Sequence, residues 1–154
     1  TTEVLIPDFQ GRKELIDQVI KACPEIISHN METVKRISPQ VRSAANYHTS
    51  LEVIRQIAES GITAKSGIMV GLGETPAEVE ELMDDLISVG CKILTIGQYL
   101  QPTHKHFPVA AYITPEQFAV YKEAGLKKGF AQVESAPLVR SSYHAEKHIR
   151  FNNK

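Results

Sequence analysis

Three short stretches of this chain carry residues able to do chemistry. Gly71-Leu72-Gly73-Glu74 is a glycine turn placed just ahead of Thr75 and Pro76. Glycines let a backbone approach a ligand closely, and a helix N-terminus that follows offers free N–H groups. The GxGxxG spacing of dinucleotide sites is absent, so the turn reads either as a ligand-contacting edge or as an ordinary tight connection. His29-Asn30-Met31-Glu32-Thr33 brings an imidazole, an amide and a carboxylate together. Such groups hold a ribose or an aminoacyl moiety by directional hydrogen bonds. A compatible structural reading makes Asn30 a helix cap and sets Glu32 at that helix's positive end. The third stretch is Arg140-Ser141-Ser142-Tyr143-His144-Ala145, a serine pair between an arginine and a tyrosine. By composition alone it is a flexible tail.

Other reactive residues say less. Among six histidines, His104-x-His106 and His144-x-x-x-His148 have spacings that could supply metal ligands, but neither pair flanks a cysteine. Surface positions and a loop contact are the plainer reading. The two cysteines, Cys23 and Cys91, are far apart and each follows a helical stretch. We expect both to be small buried apolar residues. Two readings stand for Lys65: a side chain directed into a barrel beside Ser66, or a solvated residue at a strand entry.

These stretches need elements to position them. Strands are predicted over 2–7, 25–28, 64–70, 92–97 and 130–134, from short apolar and β-branched runs. Between them lie helical patterns. Lys13 to Cys23 repeats apolar residues on one face, and 32–42 holds one or two helical turns. Thr49 with Glu52 forms a capping box for a helix to Glu59, which Gly61 ends. Thr75, Pro76 and Glu78 open a helix whose stripe is Val79, Leu82, Met83, Leu86 and Ile87, stopped by Gly90. Thr114-Pro115-Glu116-Gln117 opens the last, closing near Gly129. Alternating strands and helices argue for α/β architecture with a parallel sheet. Four βα units and a strand are half of an eight-unit barrel, or most of a six-unit one. Every candidate above follows a strand, so all converge on the rim at the C-terminal ends of the strands.

The tail stretch behind Glu134-Ser135-Ala136-Pro137-Leu138-Val139 resembles the C-terminal signature of lipoyl synthase, a radical S-adenosylmethionine (SAM) enzyme family. His29 to Val34, Lys65 to Thr75 and Gly97-Gln98-Tyr99-Leu100-Gln101-Pro102 resemble family segments in family order. The resemblance implies a parallel (β/α) partial barrel, radical-SAM TIM-barrel-like, of which this is roughly the second half. It divides the chain into partial barrel over 1–135 and tail over 136–154. It implies sulfur insertion into a protein-bound octanoyl group, with two 4Fe-4S clusters and SAM in the complete protein. Ser142 is then the catalytic and metal-ligating serine of a sacrificial auxiliary cluster, and Asn30, Glu32, Ser66, Gly71, Gly73, Glu74 and Gln98 bind SAM. The partner is an octanoylated lipoyl-carrier domain or the glycine-cleavage H protein. Ala136 stands where the family is expected to have glycine.

One departure is large. The family holds its clusters on six cysteines in two triplets, and neither triplet is present here. We therefore expect no stably bound cluster, no activity in isolation, and self-association through the faces a half barrel leaves open. The start in Val4-Leu5-Ile6 reads as a truncation. Competing readings are another β/α-barrel lyase or transferase with phosphate at the glycine turn, and a non-catalytic half-barrel interaction module. The chain has 154 residues, 17 Lys plus Arg against 18 Asp plus Glu, and a formal charge of −1. That balance supplies no attraction to nucleic acid or anionic membrane. No apolar run approaches the ~20 residues of a membrane span. A cytoplasmic location is expected, or the mitochondrial matrix for a eukaryotic source.

Overall fold

The computed structural model describes residues 1–141, so the candidate Ser142 lies outside the described residues. The strands are β1 (Glu3–Leu5), β2 (Ile26–Ser28), β3 (Thr63–Val70), β4 (Ile93–Gln98) and β5 (Gln132–Ser135). The helices are α1 (Lys13–Lys21), α2 (Ser38–Val41), α3 (Tyr47–Glu59), α4 (Pro76–Ser88) and α5 (Pro115–Lys128). All strand pairs are parallel and the spatial order is the chain order, β1-β2-β3-β4-β5. With right-handed crossovers that order keeps the helices on one face. It is the α/β succession from which a barrel is built, since a doubly wound sheet reverses its strand order.

Register assigns side chains to faces, because alternate residues of a strand point oppositely. Ala64, Ile68 and Val70 of β3, Leu94 and Ile96 of β4 and Val133 of β5 join the core with Ile54, Ile57, Val79, Leu82, Met83, Leu86 and Phe118. The opposite face is mixed, with Glu3, Lys65, Thr95 and Gln132 beside Ile26 and Ile93. Leu5, Ser28, Lys65, Ile93 and Gln132 stand in one row across it. Lys65 is 1% exposed, and its Nζ donates to Glu3 Oε1 at 2.6 Å. The Ser28 hydroxyl donates to the same oxygen at 3.0 Å. This resolves the two readings of Lys65: it faces the barrel side, and a solvated strand entry is excluded.

Helix α4 begins as its sequence predicts. Thr75 Oγ1 accepts from the Glu78 N–H, and Glu78 accepts in return from the Thr75 N–H. Helix α3 begins earlier than the Thr49–Glu52 box predicts. Asn46, in extended backbone, is the cap, and its side-chain oxygen accepts from the Thr49 N–H at 3.1 Å. Thr49 is thus already inside the helix, and Glu52 pairs instead with Arg55.

Two further expectations need correction. The predicted turns over 32–42 shrink to α2. Glu32 has left-handed backbone (φ 66°) and bridges Ile68 beside β3, so the chain there extends the sheet instead of starting a helix. Asn30 accordingly caps none. Cys23 is exposed, not buried, because α1 stops at Lys21 and a left-handed residue at Cys23 (φ 53°) carries it off the apolar stripe. Cys91 is buried as expected, and burial pushes its thiol up to about 12.

Candidate functional site

At the C-terminal ends of β2, β3 and β4 lies a cleft of about 230 Å³. Asn30 and Glu32 form one wall, Gly67, Thr95 and Gly97 the strand floor, and Val139 to Ser141 the far side. Gly67 keeps the floor open: a Cβ there would lie 2.8 Å from Thr95 Oγ1 and 2.9 Å from Asn30 Oδ1. The backbone approach that glycine permits is therefore used here.

Glu32 is the most unusual residue in this cleft. Its left-handed φ is uncommon for a residue bearing a Cβ, and such strain persists only where surroundings hold it. The holding groups are specific. The Glu32 N–H donates to the Gly67 carbonyl at 3.1 Å, and its own carbonyl accepts from the Met69 N–H at 2.8 Å. The preceding peptide is fixed from both ends. The Met31 N–H donates to Ser66 Oγ at 3.2 Å, and the Met31 carbonyl accepts from Arg42 at 3.1 Å. Burial pushes the Glu32 carboxyl above its usual range, against the opposing pull of Arg42 and a hydrogen bond from Asn30. Glu32 is thus a half-buried acid with a held geometry.

Behind it, Arg42 also donates to Ser50 Oγ at 2.8 Å. Ser50 Oγ lies 2.8 Å from His29 Nε2, and His29 Nδ1 lies 3.0 Å from the Ile6 carbonyl. A carbonyl only accepts, so Nδ1 carries the proton, and the Ser50 hydroxyl donates to Nε2. Burial lowers the His29 pKa, which favours this neutral ring. Arg42 is half-buried, and burial lowers its pKa too, with Glu32 and Asp8 pulling the other way. Among the described residues no carboxylate stands within ion-pair distance of it. It lines a second, more open pocket of about 490 Å³, which shares Asn30 and Glu32 with the first.

The glycine turn is organised by its own acid. Glu74 accepts from the Gly71 N–H at 2.6 Å and from the Leu72 N–H at 2.8 Å. Gly71 and Gly73 both have positive φ, 99° and 104°, which the turn requires. Arg36 ties the turn to the segment after β2 by donating to the Gly73 carbonyl at 2.9 Å while pairing with Glu78 at 2.6 Å. Gln98 lines the cleft, and its side-chain amide is engaged. It donates to the carbonyls of Tyr99 and Ala111 and accepts from the Ile113 N–H. Gln98 thus pins the 111–113 loop.

The structure therefore brings Asn30, Glu32 and Gln98 to one cleft; Gly71 lies against the Gln98 side chain, while Gly73 and Glu74 do not line the cleft. Ser66 lies beneath, its hydroxyl holding the Met31 peptide on the helix side of β3. Sequence reasoning missed Arg42, Gly67, Thr95 and Gly97. Arg42 carried no signal, being one of many surface-type arginines by composition. The strand glycines did, since an interior glycine weakens a strand and marks a close approach.

Residues 1–86 match the radical SAM superfamily. The chain belongs to that superfamily. Over all its 154 residues it is 99% identical to a lipoyl synthase of Bacteroides fragilis (strain YCH46), covering 54% of that protein. It is 79% identical over 151 residues to a lipoyl synthase of Phocaeicola vulgatus, covering 98% of this chain and 53% of that one. With a lipoyl synthase of Treponema denticola the identity is 62% over 149 residues, covering 97% of this chain and 51% of the relative. The chain spans about half the length of the curated relatives it matches. The resemblance read from its motifs is borne out. A domain of a pyruvate-formate lyase-activating enzyme from Bacteroides vulgatus shares the fold at TM-score 0.63 and 15% identity, over 85% of this chain and 80% of that one. No helix among the described residues is long and apolar enough to cross a membrane.

Proposed function

We propose that this chain is the part of a cytoplasmic lipoyl synthase that holds SAM against the barrel and faces the acylated carrier. The complete enzyme is then a sulfurtransferase inserting two sulfur atoms into an octanoyl group on a lipoyl-carrier domain or H protein. The observation that carries this reading is the cleft at Glu32, a half-buried carboxylate on left-handed backbone beside Asn30 over two strand glycines.

The described residues fit SAM. Asn30 and Glu32 offer an amide and a carboxylate to paired ribose hydroxyls, Gly67 leaves room for close approach, and Arg42 offers a half-buried cation to a carboxylate. When bound, and given one electron by a cluster held elsewhere in the complete protein, SAM would supply methionine and a deoxyadenosyl radical able to remove hydrogen from the acyl chain. The chain's own work is to orient and to exclude water. Ser66 and Arg42 fix the Met31 peptide and so aim Glu32; Glu74 shapes the turn; Gln98 holds the loop that closes the rim.

The described residues do not fit a 4Fe-4S cluster. They contain no group of three or more His, Cys, Asp or Glu able to hold a metal, and Cys23 is exposed while Cys91 is buried. Cluster ligation in the complete protein therefore requires residues beyond those described, Ser142 among them. The alternative of phosphate at the glycine turn is disfavoured. The Gly71 and Leu72 N–H groups that would serve an anion are taken by the Glu74 carboxylate.

Calorimetry of S-adenosylhomocysteine binding to the complete synthase tests the reading. Losing a hydrogen bond to a charged group costs about 1.5–3 kcal/mol, or roughly tenfold or more in affinity. Glu32→Gln and Asn30→Ala should each show such a loss. Wild-type affinity in both would reject it.

A further inference from the structure

We propose that Gly97 is a positioning residue that seats the C-terminal tail over the cleft. Gly97 lies inside β4, between Ile96 and Gln98, and its φ is not positive. The backbone there would accept any residue. A glycine in a strand interior weakens the strand, so this one needs a reason other than conformation. The reason lies across the sheet face. A Cβ built on Gly97 would overlap the carbonyl oxygen of Val139. That atom belongs to the main chain, so no rotamer change relieves the overlap, and the tail itself would have to move.

The tail is held there by a short series of bonds. The Ala136 N–H donates to the Ile96 carbonyl at 3.2 Å, continuing the β4–β5 ladder one step past β5. The Gln98 N–H donates to the Pro137 carbonyl at 3.3 Å, and the Val139 N–H closes a turn on Ala136 at 3.1 Å. This turn bends the chain off the sheet edge and across Gly97. The Val139 side chain is buried at 3% exposure, while Leu138 beside it is 79% exposed. Arg140 Nη1 donates to the Val139 carbonyl at 2.9 Å, completing the seat. Beyond it, Arg140 and Ser141 form a wall of the cleft opposite Asn30 and Glu32. The missing side chain at Gly97 thus sets how closely Val139, Arg140 and Ser141 approach the site.

The seating itself stands on geometry. Its consequence for sulfur insertion rests on the function proposed above. The test is hydrogen exchange by mass spectrometry over 136–141 in the complete synthase, with SAM cleavage and lipoyl product measured in parallel. Gly97→Ala should speed exchange in that segment at least tenfold and lower lipoyl product at least tenfold. Val139→Asp attacks the same seat from the tail and should do likewise, so it decides the matter if Gly97→Ala does not fold. Wild-type exchange over 136–141 in the folded variant overturns the proposal. Loss of SAM cleavage in Gly97→Ala but not in Val139→Asp also overturns it, because the methyl would then be filling the cleft instead of moving the tail. Faster exchange with undiminished lipoyl product supports the seating and rejects the tail's part in the proposed function.

Discussion

The chemistry at single residues turns on burial against pairing. His29 is kept neutral by burial and by the neighbouring Arg42 charge, against the opposing pull of the Ile6 carbonyl and Asp8, while the Ile6 carbonyl and Ser50 hydroxyl fix its tautomer. Its folded pKa is lowered, so the unfolded chain binds the extra proton first. Stability from this group is complete above its ordinary 6.5 and is lost as pH falls below that value. Urea unfolding between pH 5 and 8 should therefore show a rising slope that His29→Gln flattens; an unchanged slope rejects the assignment. A second residue-scale prediction concerns the serine pair. In the complete synthase Ser142→Ala should abolish lipoyl formation with near-normal folding and iron content, while Ser141→Ala should retain it. The resemblance places the ligating serine directly before Tyr143, and a weak oxygen ligand suits an iron that must leave. Equal losses from both variants in a single-turnover assay would show the assignment to be wrong.

Among the elements, α4 shows how local chemistry and packing divide their work. Its capping box satisfies N–H groups at the helix start, and Glu78 is also held by Arg36, which lowers its carboxyl to about 2. Thr75→Ala should lower stability by about 0.5–2 kcal/mol, the usual value of such a cap, read from the shift in denaturation midpoint. Because Arg36 also reaches the Gly73 carbonyl, the same substitution should loosen the turn at the cleft rim. Helices α3 and α4 differ in legibility for a physical reason. Thr75 is followed by Pro76, which only a first helical position tolerates so well, and so the start is unique. At α3 both Asn46 and Thr49 have suitable side chains, and only the extended backbone at Asn46 decides between them.

At the scale of the molecule, five parallel strands present one helix-covered face and one mixed polar and apolar face with no helix upon it among the described residues. The second face carries the buried Glu3–Lys65 pair, along with Ser28, Thr95 and the cleft. In a half-length chain this face and the β1 and β5 edges are unpartnered among the described residues, and open edges invite pairing. Light scattering of the isolated chain should show association rising with concentration, and a strictly monomeric species throughout would reject it. Reconstitution with iron and sulfide under anaerobic conditions should leave well under four irons per chain. A stable absorption near 400 nm, typical of such clusters, would contradict that.

The sequence by itself determined the α/β succession, the caps with proline beside them, the position of Asn30, Glu32, Gly71 and Gln98 near strand ends, and the family. These depend on neighbours a few residues apart, or on motifs preserved as strings. Tertiary structure alone decided the rest. Glu32 became a half-buried acid on left-handed backbone because Gly67 and Met69 of β3 bond its own backbone, while Ser66 and Arg42 hold Met31 before it. Lys65 turned inward because Glu3, sixty-two residues earlier, stands two strands away across the sheet. Gly97 acquired its meaning from a carbonyl in the tail. Each rests on groups brought together by strand pairing, and pairing partners leave no trace in local spacing.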